Sequence, residues 1–176
     1  MDDAELGTLE QHGDDWRLTF TRRLPHPVEK VWRAVTEPAH LKAWFPQDVV
    51  GERRSGAPLR FVHDSGDAFD GEMVLFDPPS VMELRWGTDL LRIELRPDGE
   101  GDGTVLTLVD TFVELGKAAR DAAGWHECLD RLVASLDGTA PPGWGSVWQA
   151  VHPLYVERLG PDASTIGPPE GHDPTA

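Results

Sequence analysis

Apolar residues recur along this chain with two periods, and the switches between them mark out the elements. From Trp16 to Arg23 apolar and polar side chains alternate, the pattern of a half-buried strand. Val28, Val31, Trp32 and Val35 then fall at i, i+3, i+4 and i+7, which predicts a short helix burying one stripe. Pro27 suits its first turn, where a missing N–H leaves no bond unmade. Pro38 forces a restart, and Leu41, Trp44 and Phe45 form a second short apolar stripe.

A series of short strands follows, punctuated by turn residues. Gln47–Val50 and Pro58–His63 flank a turn at Gly51–Gly56, and Asp77-Pro78-Pro79-Ser80 separates Gly71–Phe76 from Val81–Trp86. Leu90–Arg96 and Thr104–Val113 flank the glycine-rich turn Pro97–Gly103. Met82, Leu84 and Trp86 share one face with Leu91, Ile93 and Leu95 on the next strand. Glu83, Arg85, Arg92, Glu94 and Arg96 take the other, so an antiparallel meander with one covered side is expected. The cover is the segment Lys117–Leu136, whose stripe is Ala118, Ala122, Trp125, Leu129, Leu132 and Leu136. Gly124 interrupts it at a cost of about 1 kcal/mol in helix propensity, which suggests a close packing contact. Gly138 marks its end. Val147, Trp148, Val151, Tyr155 and Leu159 predict an appended helix, kinked or split at Pro153.

These segments divide the chain into a flexible acidic lead-in over 1–15, a domain over 16–139, the appended helical segment over 140–160 and a disordered tail over 161–176. The chain has 176 residues, enough for one substantial core. Its net charge of -15 argues against nucleic acid and anionic membrane surfaces as partners. Cys128 is the only cysteine, which points to a reducing compartment. With no apolar run of membrane-spanning length and an acidic N-terminus unlike a secretory signal, a cytoplasmic location is expected.

The order of elements resembles the α+β helix-grip fold of the START-like (SRPBCC) superfamily. Within it the chain resembles the branch named for the activator of the heat-shock chaperone ATPase. The match is carried by Val31-Trp32-Arg33-Ala34, Thr36-Glu37-Pro38, Leu41, Trp44-Phe45, Gly71-Glu72, Asp77-Pro78-Pro79, Leu84-Arg85-Trp86, Thr107-Leu108 and Gly124-Trp125 with Leu129 and Leu132. It covers Trp16 to Gly138. The resemblance implies a curved antiparallel sheet around a long C-terminal helix, two short helices after the first strand, and a cavity between helix and sheet. The matching cavity candidates are Trp44, Phe45, Phe61, Trp86 and Trp125. A fold shared by binding proteins, carriers, cyclases and co-chaperones does not fix a reaction.

The chemistry-bearing residues offer few sharp alternatives. Aromatics at strand and helix spacing are core by default, so the seven tryptophans do not by themselves make a ligand box. His126 sits on the flank of the helix stripe, and Asp110 interrupts an apolar face alternating with Leu106, Leu108 and Phe112. Together they could form a general base and its orienter, but a partly exposed helix histidine and an edge or strand-end aspartate is the preferred reading. The acidic run His63–Asp70 lacks the length and terminal Glu of a calcium loop, and the histidines show no zinc spacing, so neither metal nor cofactor is expected. Cys128 has no activating motif. The preferred function is binding of a hydrophobic or lipid-like small molecule. The alternatives are a co-chaperone-like interaction and a cyclase- or dehydratase-like enzyme acting on a hydrophobic ring. The appended stripe could also be covered by a second copy of the chain, as a homodimer.

Overall fold

The computed structural model describes residues 5–99 and 101–168. In chain order the strands are β1 (Thr8–His12), β2 (Asp15–Leu24), β3 (Asp48–Gly51), β4 (Ala57–Val62), β5 (Ala68–Asp77), β6 (Val81–Trp86), β7 (Asp89–Pro97) and β8 (Thr104–Phe112). The helices are α1 (Val28–Thr36), α2 (Pro38–Leu41), α3 (Ala118–Asp137) and α4 (Ser146–Leu159). All eight strands join one antiparallel sheet in the order β1-β2-β8-β7-β6-β5-β4-β3. The long helix α3 lies across it. The chain therefore forms the α+β helix-grip architecture that its pattern resembles.

Local chemistry sets the boundaries of the first helices. Pro27 caps α1, and its carbonyl accepts from the N–H groups of Lys30 and Val31. The Glu37 N–H closes the helix on Arg33, after which Pro38 begins α2 at the position where its missing donor costs nothing. Val31, Trp32 and Val35 are buried, with Trp32 packed against Phe76 of β5 at 5.3 Å between ring centroids. In the sheet, Met82, Leu84, Leu91, Ile93 and Leu95 are buried. On the opposite face Arg92 pairs with Glu83 and Glu94.

Gly71 has a demonstrable reason: a Cβ there would lie 2.2 Å from the Arg85 carbonyl and 2.5 Å from the Phe61 ring. The glycine lets Phe61 lie flat across β5. Gly124 has none of the close contact expected of it. A Cβ there would meet nothing within 4 Å, because the residue borders open space above the sheet.

Three further expectations differ from the fold. Part of the expected lead-in, Thr8–His12, is strand β1, paired residue by residue with β2 through a turn at Gly13. An edge strand with mostly exposed side chains needs no apolar alternation, so the pattern carried little trace of it. α4 runs through Pro153 as one helix, so the split into two pieces does not occur. Pro153 and Gln149 lie on its exposed face, where the carbonyl freed by the proline meets water. In the stretch read as tail, Pro161–Ser164 forms a 3₁₀ turn with Ala163 buried, and the Ile166 N–H donates to the Gly116 carbonyl. Residues 1–4 and 169–176 of the expected lead-in and tail lie outside the described residues.

The long helix is buried on more than its predicted stripe. Ala119, Ala123, His126 and Cys128 are also covered, because α4 packs along the face of α3 turned from the sheet. Val151 and Tyr155 of α4 are fully buried in that contact. Glu127 accepts from the Val147 N–H at the start of α4, and Arg131 donates to the Ala43 and Pro142 carbonyls while stacking 4.0 Å over Trp144. α4 is thus sewn to α3 by both packing and buried polar bonds.

Two stability outcomes follow. Trp125→Ala empties a buried ring position on the sheet-facing stripe and is expected to cost about 3–5 kcal/mol in urea unfolding. Truncation after Gly138 removes Val151 and Tyr155, each worth about 1.5–3 kcal/mol of burial. The expected drop in melting temperature is roughly 10 °C, and an unchanged melting curve and elution volume would show the segment to be dispensable.

Candidate functional site

Where α3 spans the end of the sheet, a groove of about 1190 Å³ opens to solvent. One wall is aromatic: Phe45 from the segment after α2, Phe69 from β5, Trp86 from β6 and Trp125 from α3. Their rings form a connected series, with Phe45 5.9 Å from Trp125, Trp125 5.2 Å from Trp86 and Trp86 6.1 Å from Phe69. Trp144, just before α4, and Trp148 in its first turn border the same space, so the appended segment builds part of it. Gly124 also lines the groove, and its missing side chain keeps that stretch of wall open.

Of the five aromatic candidates, Phe45, Trp86 and Trp125 line this groove. Trp44 and Phe61 are fully buried in the core beneath it. The Trp44 indole donates to the Ala34 carbonyl at 2.9 Å, and Phe61 stacks on Phe69 at 5.1 Å. Trp86 is half-buried, with its indole donating to Gln47 Oε1 at 2.9 Å. That bond fixes the ring's orientation in the wall.

His126 and Asp110 do not meet. His126 faces α4, where its Nδ1 lies 2.9 Å from the Tyr155 hydroxyl. The Gly7 N–H also donates to that oxygen, and with the imidazole proton on Nε2 the phenolic O–H has Nδ1 as its acceptor. Burial, reinforced by Arg22, lowers the His126 pKa to about 4 and keeps the ring neutral. This histidine ties α3, α4 and the segment before β1 together; it does not border the groove.

Asp110 lies under the groove's aromatic floor. It is fully buried, and its Oδ2 accepts from the Trp125 indole at 3.0 Å while Oδ1 has no partner among the described residues. Burial, then the neighbouring Asp89 carboxylate, pushes its pKa up to about 7, against the indole bond that favours the ionised form. Asp89 at the start of β7 and Asp121 on α3 stand beside it, both on the groove wall. Lys117 bonds to Asp89 and lies 3.3 Å from Asp121, and Arg120 donates to Asp121 at 2.7 Å. Burial alone would lower the Lys117 pKa, but its carboxylate neighbours outweigh it and the value is raised.

Sequence reasoning did not single out Asp89, Lys117 or Asp121, which lie far apart along the chain or look like ordinary surface charges of a helix start. The His63–Asp70 run holds no comparable arrangement: Asp70 pairs with Arg60 across β4 and β5. Cys128 borders the groove but is nearly enclosed, and burial, with Glu127 adding to it, drives its thiol pKa far upward, so it is not a nucleophile.

Comparison with solved structures gives the same fold throughout. A conserved protein of unknown function, EF2215 from Enterococcus faecalis, aligns over 87% of this chain and 90% of its own, with 20% identity and a TM-score of 0.74. CalU16 from Micromonospora echinospora aligns over 87% of this chain and 95% of its own, with 22% identity and a TM-score of 0.68. DynU16, from the dynemicin biosynthetic locus, is 27% identical, with a TM-score of 0.63 over 71% of this chain and 48% of its own. No curated protein matches the chain. The family described as activator of Hsp90 ATPase homolog 1-like protein matches residues 25–137, from the turn before α1 to the end of α3. The chain belongs to that family.

Proposed function

We propose that the groove binds a hydrophobic small molecule against the wall formed by Phe45, Phe69, Trp86 and Trp125. The observation that carries this reading is the connected series of rings bordering an open space large enough for a drug-sized molecule. Apolar area removed from water would supply most of the affinity, at roughly 25 cal/mol per Å² before the costs of association. The polar rim, with Gln47, Asp89, Lys117 and Asp121, would orient the molecule.

The geometry favours binding over acid–base turnover through the two residues first considered. His126 is engaged with Tyr155 away from the groove, and Asp110 lies buried behind Trp125 without bordering it. A chaperone-directed role has the family's name for support. A lipid-like ligand falls within the same chemical class.

An uncharged fluorescent probe, N-phenylnaphthylamine, tests the reading. Its affinity is expected to fall at least about tenfold in Trp86→Ala, the loss of roughly 1.4 kcal/mol that burial of part of an indole provides. His126→Ala should bind within about twofold of the unsubstituted chain, once circular dichroism has shown both variants folded. Probe binding that survives Trp86→Ala and disappears in His126→Ala would reverse the assignment.

A further inference from the structure

Asp89, Asp110 and Asp121 come from β7, β8 and α3, and one carboxylate oxygen from each lies within 4.8 Å of the others. They are not a surface cluster. Asp110 is 0% exposed and Asp89 3% exposed, and the Asp121 side chain is 11% exposed. Three carboxylates here face two cations, Lys117 and Arg120. If all five are ionised the assembly lacks one positive charge, in surroundings where uncompensated charge is costly.

The shortfall has an address. Lys117 bonds to Asp89 and pairs with Asp121 at 3.3 Å, whereas among the described residues Asp110 has only the Trp125 indole on Oδ2 and nothing on the buried Oδ1. A buried oxygen without a donor is rare and calls for a partner. The set is open on one side, because Asp89, Lys117 and Asp121 all border the groove. Lys117 is carried on a four-carbon stem beside that opening, so its ammonium can turn outward without backbone movement.

We propose that Asp89, Asp110 and Asp121 form a binding site for one hard divalent cation, entering from the groove and displacing the Lys117 ammonium as their counter-ion. An all-carboxylate donor set selects a hard cation such as calcium, magnesium or manganese over zinc or copper. Water from the groove completes the coordination. The cation supplies the missing charge, gives Asp110 Oδ1 a partner and fixes the floor on which Trp125 rests.

Manganese is the probe, with the free ion counted by electron paramagnetic resonance on the full chain. One Mn²⁺ should bind per chain, with a Kd on the order of 0.1 mM given the competing ammonium. Asp110→Asn and Asp121→Asn should each weaken binding at least about tenfold, and Lys117→Met should tighten it by a similar factor. Asp70→Asn, which alters an exposed carboxylate on β5 paired with Arg60, controls for ions gathered by the acidic surface and should bind like the unsubstituted chain. Asp121→Asn, at the groove wall, stands as the test if Asp110→Asn fails to fold. No stoichiometric binding to the unsubstituted chain, or a Kd in Asp121→Asn equal to that of Asp70→Asn, overturns the site. A Lys117→Met chain that binds no tighter overturns the displacement.

Discussion

The hydrogen bond from the Trp125 indole to Asp110 is the contact on which the site depends. It joins the middle of the long helix to β8, an interior strand of the sheet, and it is fully enclosed. A carboxyl group on an otherwise apolar strand face is costly unless it is bonded, and this one is bonded once. The indole gains a fixed orientation from the arrangement, because its N–H has a single acceptor. That orientation sets its contacts with Phe45 and Trp86 and so the shape of the groove's floor. Losing the acceptor would cost the helix its polar anchor and leave the ring free to turn.

A second polar chain holds the outer layer. Gly7, Tyr155 and His126 link the segment before β1, the appended helix and α3 through bonds of 2.9 Å. With Glu127 and Arg131 they hold α4 against α3, placing Trp144 and Trp148 at the groove's mouth. α4 lies beyond the family match, which ends at residue 137. The shared core therefore supplies the aromatic floor, and an addition outside it supplies part of the rim.

The sheet and its cover were legible because burial there is one-sided and periodic. Val81–Trp86 and Leu90–Arg96 alternate cleanly, and Trp125, Leu129 and Leu132 repeat at helical spacing. β1 was not legible, since an exposed edge strand places no demand on alternation. The aromatic candidates could not be sorted from the sequence: nothing in the spacing says that Phe45, Trp86 and Trp125 line the groove with Phe69 while Trp44 and Phe61 lie beneath it. Gly124 was noticed for a packing reason it lacks, when its consequence is open space. The carboxylate group was invisible because β7, β8 and α3 bring it together from separate segments, and Asp121 looked like an ordinary first-turn acid. Asp110 alone left a trace, as a charge out of place on an apolar face.

That trace gives the most direct test of the central claim, that Asp110 is an enclosed carboxyl bonded to Trp125. Its folded pKa, raised to about 7, lies above the unfolded value of about 3.9. The stability associated with this group is therefore whole below about pH 4 and is lost as pH rises through about 7. Urea unfolding of the unsubstituted chain and of Asp110→Asn, in chelator-treated buffer at about pH 5 and about pH 8, isolates the effect, since contributions from His126 and the surface cancel in the difference. The unsubstituted chain should lose ~2–3 kcal/mol relative to the variant between those conditions. Parallel pH profiles for the two proteins would mean that Asp110 titrates as an ordinary solvated carboxyl, and would contradict the anchor that this account places beneath the groove.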